Sequence, residues 1–246
     1  GSLGRGSSPT RPSGGFSAGA AGGGEWSKPL SDADLAAVAK EAFRNGSPLV
    51  RRRAFDQFLN NLTAENAKDM LVHLKENRAG GEQWRDLHYL WGKLDVKAAV
   101  DHSLASEERD LSYTMAGWAS GYPDAAINYI NNLSEEDRGS FRHLQEAMVS
   151  GMADNDTARA TDYVLQLADQ GDGRASHLFG LVTREVVSNV GIDEADQWSQ
   201  SLPDGDLKGA ALDTVAHRFT NQDPEAAAQW VEQFAGQSYA DRAIEE

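Results

Sequence analysis

The chain has 246 residues, of which 40% are hydrophobic and 25% are charged. This composition excludes wholesale disorder and a collagen-like fibre, and the absence of cysteine excludes disulfides, thiolate metal sites and a cysteine nucleophile. The formal charge of −15 is concentrated in residues 81–246, which carry thirty acidic and twelve basic side chains. Such a surface repels phosphate backbones, so we expect no nucleic-acid partner, and a protein or peptide partner should be neutral or basic.

Residues 1–29 are dominated by glycine, serine and alanine, which predicts a disordered linker. Two origins stay open for this linker: a remnant of an expression tag, or a native segment separated from an upstream anchor or signal. The second origin implies an exported or membrane-tethered protein. The given sequence holds neither a signal-peptide pattern nor a run of about 18 apolar residues, so we expect no direct membrane insertion by this fragment.

Helical periodicity begins after the linker and predicts three helices before the glycine pair at positions 80 and 81. Ser31 is a candidate N-cap for the first helix, and the run from Asn45 to Pro48 is typical of a helix end. Apolar residues recur every three or four positions and not every two, so we expect almost no β-structure. We interpret residues 30–80 as an N-terminal helical segment that continues or caps the array after it.

Beyond residue 80, five short segments resemble one another and place an alanine at the same position. The pattern is clearest in Asp223-Pro-Glu-Ala-Ala-Ala-Gln-Trp230. The equivalent alanines, at spacings of 27, 34, 35 and 32 residues, are Ala99, Ala126, Ala160, Ala195 and Ala227. Each segment predicts the beginning of a helix, because Asp156 and Asp223 are candidate N-caps, Pro123 and Pro224 suit the first helical position, and acidic residues follow in the first turn.

A ring follows each of these alanines by one helical turn. The residues at the ring position are His102, Tyr129, Tyr163, Trp198 and Trp230. A small residue next to a ring lets a neighbouring helix approach at the alanine while the ring fills the space above it, so these positions predict repeat packing. A second apolar stripe follows each segment, and we therefore expect helical hairpins of about 34 residues.

One hairpin cannot bury its own apolar face, so the hairpins are expected to stack. The predicted fold is all-α: an α-α superhelix, or solenoid, of stacked antiparallel hairpins over residues 81–246, with a truncated last repeat. In period and architecture the chain resembles α-solenoids of the tetratricopeptide and HEAT kind, although the tetratricopeptide motif itself is absent. The Asp-Pro-Glu-Ala-Ala pattern at Asp223 resembles helical repeats of exported bacterial proteins of uncharacterised function. That resemblance implies no catalytic residue.

The residues of catalytic and metal sites do not occur in recognisable patterns. Six histidines are scattered singly, without the spacing of a zinc site. The pairs Asp154/Asp156 and Asp204/Asp206 begin like calcium loops, but both lack the glutamate at the twelfth position. No nucleophile elbow, phosphate loop or dinucleotide motif is present, so we expect no cofactor and no enzymatic activity.

Trp84, Trp91 and Trp118 are the candidate binding residues, because an exposed tryptophan can stack on a sugar or anchor a peptide. The alternative is that all three belong to the core, since Trp84 and Trp91 share helical spacing with Leu87. We predict a non-catalytic scaffold that binds a protein or peptide along its helical surface. The alternative function is an all-helical carbohydrate-active enzyme or glycan-binding module, which would need two facing carboxylates in a cleft.

Overall fold

A computed structural model of the chain describes residues 30–106, 108–134 and 142–240. The backbone of these residues forms α-helices and two short 3-10 turns and no β-strand, which confirms the all-α prediction. The helices are α1 Asp32–Arg44, α2 Pro48–Asn60, α3 Ala67–Glu76, α4 Gly81–Leu94, α5 Val96–Leu104, α6 Glu108–Gly121, α7 Pro123–Asn132, α8 Arg142–Asn155, α9 Thr157–Asp169, α10 Ala175–Asn189, α11 Ile192–Ser201, α12 Asp206–Gln222 and α13 Pro224–Val231. The predicted linker, residues 1–29, and residues 241–246 of the last predicted repeat lie outside the described ranges.

Serine and aspartate side chains begin several helices by accepting hydrogen bonds from backbone N–H groups of the first turn. Ser31 Oγ accepts from Asp34 N at 3.2 Å and caps α1. Asp156 Oδ1 accepts from Arg159 N at 3.0 Å and caps α9 in the same way. These bonds satisfy donors that have no partner within the helix, so the polar residues fix where the helices start.

The turn that leads into the helices carrying the regularly spaced alanines has nearly the same backbone conformation at four places. The turn residues are Asp95, Tyr122, Asp156 and Asp223, with φ between −140° and −151° and ψ between 67° and 94°. Each donates its N–H to a carbonyl four residues earlier, at 2.7–2.8 Å. The fifth turn differs, because two residues separate the helices there: Val190 is the C-cap of α10 and Gly191 is the N-cap of α11. The repeated sequence segments therefore produce a repeated turn.

The even-numbered helices from α4 to α12 contact one another in order: α4 with α6, α6 with α8, α8 with α10, and α10 with α12. The odd-numbered helices α5, α7, α9 and α11 each pack against the even-numbered helices before and after them. The chain thus alternates between a continuous row of helices and helices that lie beside that row.

Glycine permits direct backbone contact within the even-numbered row. A Cβ atom at Gly117 on α6 would lie 1.8 Å from the carbonyl oxygen of Tyr89 on α4. A Cβ atom at Gly151 on α8 would lie 2.0 Å from the carbonyl oxygen of Ala116 on α6. No side chain fits at such distances, so the close packing of α4, α6 and α8 depends on these glycines.

The buried apolar residues form two clusters that meet at α5. The first extends from Leu35 on α1 through Trp91 on α4 to Ala99 on α5. The second begins at the next residue, Val100, and continues to Phe234. The N-terminal segment and α4 therefore share one core. This core includes residues on both sides of residue 80, after which the repeated segments begin.

Candidate functional site

An open cleft of about 710 Å³ lies between α3 and the helices α4, α5 and α6. Its lining residues are Lys68, Leu71, Val72, Lys75, Gly81, Trp84, His102, Ser106, Asp110 and Tyr113. We call this the α3 cleft. Its size is in the range of ligand-binding pockets, and its lining combines apolar and aromatic side chains with a few polar groups, as binding sites commonly do.

The α3 wall is one face of a single helix. Lys68, Leu71, Val72 and Lys75 are spaced at i, i+3, i+4 and i+7, so they lie along one side of α3 over two turns. Leu71 is buried, whereas Val72 is 52% exposed. An exposed valine between two lysines makes this wall apolar at its centre and positively charged at its ends.

The opposite wall is built on stacked rings. Trp84 stacks on His88 with their ring centroids 6.0 Å apart and an angle of 18° between the planes. His88 stacks in turn on His102 at 5.9 Å and 25°. His88 is fully buried, while Trp84 and His102 are partly exposed and line the cleft. The exposed rings are thus supported from behind by a buried imidazole.

The buried imidazole of His88 is held in its neutral form. Neither of its ring nitrogens has a hydrogen-bond partner among the described residues, and its Nε2 lies 3.7 Å from Asp110 Oδ1. The pKa of His88 is lowered to about 4, mainly by burial; the nearby Asp110 raises it and His102 lowers it by smaller amounts. Asp110 itself accepts a hydrogen bond from Ser106 Oγ at 3.0 Å.

The three candidate binding tryptophans have different positions. Trp91 is fully buried in the first core cluster. Trp118 is partly buried against the second cluster, and its ring centroid is 5.3 Å from that of Tyr129. Trp84 alone of the three lines the α3 cleft. Only Trp84 is therefore placed where it would touch a molecule bound in that cleft.

The residues of the predicted packing pattern are buried or partly buried. Buried are Ala99, Ala126, Ala160, Tyr163, Ala195, Ala227 and Trp230, and partly buried are His102, Tyr129 and Trp198. Four of the five rings contact an aromatic ring of the preceding even-numbered helix. These pairs, with centroid distances of 5.2–5.7 Å, are Trp91 with His102, Trp118 with Tyr129, Phe179 with Trp198, and Phe219 with Trp230. The fifth, Tyr163, has its hydroxyl bonded to Gln145 Nε2 at 2.9 Å.

Sequence reasoning missed most of the cleft, including Lys68, Val72, Lys75 and Tyr113. One signal was present on α3, because Val72 lies outside the apolar stripe of that helix. Helical spacing alone therefore predicts an exposed valine between two lysines. The α6 contribution carried no such signal. Tyr113 joins the cleft only because α6 packs on α4.

The described part of the chain contains no cluster of three or more side chains that could hold a metal ion. Across residues 30–106, 108–134 and 142–240, no helix is both long and apolar enough to cross a bilayer. Comparison of the chain with protein families, with curated proteins and with solved structures finds no match.

Proposed function

We propose that the chain is a non-catalytic scaffold that binds a protein or peptide segment, and that the α3 cleft is its binding site. In this proposal the helical hairpins stack into an α-solenoid with a repeat of about 34 residues, of the kind seen in tetratricopeptide and HEAT repeat proteins. The recurrent turn at Asp95, Tyr122, Asp156 and Asp223 supports this repeat, as does the ordered contact of the even-numbered helices.

The observation that carries the binding function is the exposed apolar and aromatic lining of the α3 cleft. Val72 is half-exposed on one wall, and Trp84 and Tyr113 are partly exposed on the other. Exposed apolar surface in a concave site is a mark of protein interaction, and tryptophan and tyrosine are enriched among residues that dominate binding energy. A peptide side chain inserted between these walls would remove their apolar surface from water.

The rival function is a carbohydrate-active enzyme or glycan-binding module. Glycoside hydrolysis requires two carboxyl groups on either side of the bond that is cleaved. Among the described residues that line the cleft, Asp110 is the only carboxylate, and it contacts Ser106 and His88. This lining supports binding without catalysis. Trp84 would still be able to stack on a sugar ring, so glycan binding has to be tested directly.

The test is selection of random peptides displayed on phage against the immobilised full chain, followed by fluorescence anisotropy with the selected peptides. Val72→Asp places a charge at the centre of the α3 wall and should weaken these peptides about tenfold or more, as should Trp84→Ala. Leu49→Asp is the matched control, because Leu49 is a 69%-exposed apolar residue outside the cleft.

Peptides that bind the parent chain and the Leu49→Asp variant equally, but lose affinity for both cleft variants, would support the proposal. Selected peptides that tolerate both cleft variants would contradict it. A glycan array tests the rival function. That function predicts glycan binding by the parent chain that disappears in the Trp84→Ala variant.

A further inference from the structure

The α3 cleft also indicates the chemistry of the segment that it binds, and this inference rests on the binding function proposed above. We propose that the bound segment is acidic, with an aromatic or aliphatic side chain between two carboxylates. The apolar side chain would lie between Val72 and Trp84, and the carboxylates would pair with Lys68 and Lys75.

The two lysines are exposed cations without an ion-pair partner among the described residues. Several other cations in the described part of the chain do pair with carboxylates. Examples are Lys97 with Asp101 at 2.7 Å and Arg159 with Asp124 at 2.7 Å. A ligand that covered Lys68 and Lys75 without supplying negative charge would desolvate two unpaired ammonium groups, which costs free energy.

The N-terminus of α4 adds positive potential to the same cleft. Gly81, the first residue of α4, lines the cleft, and the preceding Gly80 has no side chain that could cap the helix. The positive end of the helix dipole therefore lies at the cleft and has the same sign as the two lysines. Glu82, the acidic residue in the first turn of α4, is exposed and lies 3.8 Å from Arg85.

The one carboxylate in the described lining does not offset this charge at the cleft mouth. Asp110 has only 18% of its side chain exposed, and it accepts a hydrogen bond from Ser106. Its other oxygen is 3.7 Å from Nε2 of the buried His88. Lys68 and Lys75 are both exposed. An approaching ligand therefore meets the lysines before it meets Asp110.

The spacing of the lysines limits the ligand further. Lys68 and Lys75 are seven residues apart on α3, which corresponds to about 10.5 Å along the helix axis. A peptide in the polyproline II conformation has three residues per turn and rises about 3.1 Å per residue, so residues three positions apart lie on the same side of it, about 9.3 Å apart. A segment with two acidic residues three positions apart, and an apolar residue between them, therefore fits this wall of the cleft.

The net charge of the chain leads to a different expectation from the charge of this cleft. Thirty acidic side chains in residues 81–246 predict a neutral or basic partner for the surface of the array. The α3 wall belongs to residues 30–80, which carry eight basic and seven acidic side chains. Charges within a few ångströms of a ligand outweigh distant ones that salt screens, so the cleft follows its own lysines.

The experiment uses the full chain and three fluorescein-labelled synthetic peptides that differ only in charge. Each peptide has eight residues with one phenylalanine, which stands between two glutamates three positions apart, between two glutamines, or between two lysines. We expect the glutamate peptide to bind about tenfold more tightly than the glutamine peptide in low salt, the sum of two exposed ion pairs. The difference should shrink as the salt concentration rises.

The double variant Lys68→Glu/Lys75→Glu should reverse this order and favour the lysine peptide. The control is Arg52→Glu/Arg53→Glu, which makes the same change of charge at two exposed positions of α2 outside the cleft lining and should keep the preference of the parent chain. Retention of the glutamate preference in the α3 double variant would overturn the inference.

Two other outcomes separate this inference from the function on which it rests. If the parent chain prefers the glutamine or lysine peptide and this binding is lost in the Val72→Asp variant, the cleft binds peptides but the charge assignment is wrong. If no peptide binds, and the phage-selected peptides also ignore Val72→Asp, the proposed function itself fails.

Discussion

Gly117 on α6 lies against the backbone carbonyl of Tyr89 on α4, so closely that a Cβ atom would come within 1.8 Å of that oxygen. Helix α6 contacts both α4 and α8 in the even-numbered row. A methyl group at this point would push α6 away from α4 along their whole contact. The stability of the row therefore depends on the absence of a side chain at position 117.

The first prediction is that Gly117→Ala destabilises the fold by about 2 kcal/mol or more, because overpacking a helix contact forces the backbones apart. Chemical denaturation monitored by circular dichroism measures this loss. Gly180→Ala is the matched control: Gly180 lies inside α10, is exposed, and has no neighbouring atom within 4 Å of the position that a Cβ atom would occupy. There, alanine should be neutral or stabilise by up to about 1 kcal/mol, because it is the better helix former. Equal effects of the two substitutions would contradict the close contact of α4 and α6.

The second prediction concerns Ala160, one of the five alanines of the repeat pattern. Ala160 is fully buried on α9, so Ala160→Leu should cost about 1–3 kcal/mol through overpacking. Ala158 lies on the same helix but is exposed, and Ala158→Leu should change stability by less than about 0.5 kcal/mol. Thermal melts of the two variants beside the parent chain test the predicted register. If the Ala158 variant is the one that loses stability, the register is wrong.

The third prediction concerns the turn that recurs between helices. Asp156 Oδ1 accepts a hydrogen bond from Arg159 N, so Asp156→Ala should cost about 1 kcal/mol, whereas Asp156→Asn keeps an acceptor and should cost much less. Asp162→Ala on the same helix removes an exposed aspartate that is not a cap and serves as the charge control. Urea denaturation of the three variants provides the measurement. A loss for Asp156→Asn as large as that for Asp156→Ala would mean that the turn does not depend on the cap.

The parts of the fold that could be predicted from sequence are those specified by residues close together in the chain. The helix starts at Asp156 and Asp223 follow from a capping side chain and its immediate neighbours, and both caps are present. The absence of strands from the described ranges follows from apolar spacing alone. These features depend on hydrogen bonds and side-chain periods within a few residues, so no knowledge of the tertiary structure was needed.

The glycines of the even-numbered row could not be predicted in this way. A glycine within a helical pattern, such as Gly117 or Gly151, lowers helix propensity and by itself gives no reason for its presence. The reason lies in the carbonyl oxygens of Tyr89 and Ala116 on neighbouring helices. Close approach between two helices is a property of the pair, and a single sequence does not show which helices pair.

The α3 cleft could not be predicted from the sequence, for a related reason. Its walls come from Lys68 on α3, Trp84 on α4 and Tyr113 on α6, which the chain brings together over more than forty positions. The sequence identified Trp84 as a candidate for binding, because tryptophan is enriched among residues that dominate binding energy. Tyrosine is common on surfaces, so Tyr113 became a candidate only through its position in the cleft.

The last prediction is a pH dependence of stability that arises from His88. Burial lowers the pKa of His88 to about 4 in the folded chain, below the ordinary value of 6.5 that applies when the chain unfolds. Between pH 4 and pH 6.5 the unfolded chain binds a proton at His88 that the folded chain does not bind. The stabilising contribution of the neutral imidazole is therefore fully present above pH 6.5 and is lost as the pH decreases from 6.5 to 4. The contribution lost over this range is at most about 3 kcal/mol.

His88→Gln removes this titration, so its free energy of unfolding should depend less on pH than that of the parent chain in the same window. His177→Gln is the control, because the side chain of His177 is 62% exposed, and it should keep the pH dependence of the parent chain. Urea denaturation at half-unit pH steps measures the three curves, and parallel curves for the parent chain and His88→Gln would contradict the assignment of a buried neutral imidazole behind the cleft.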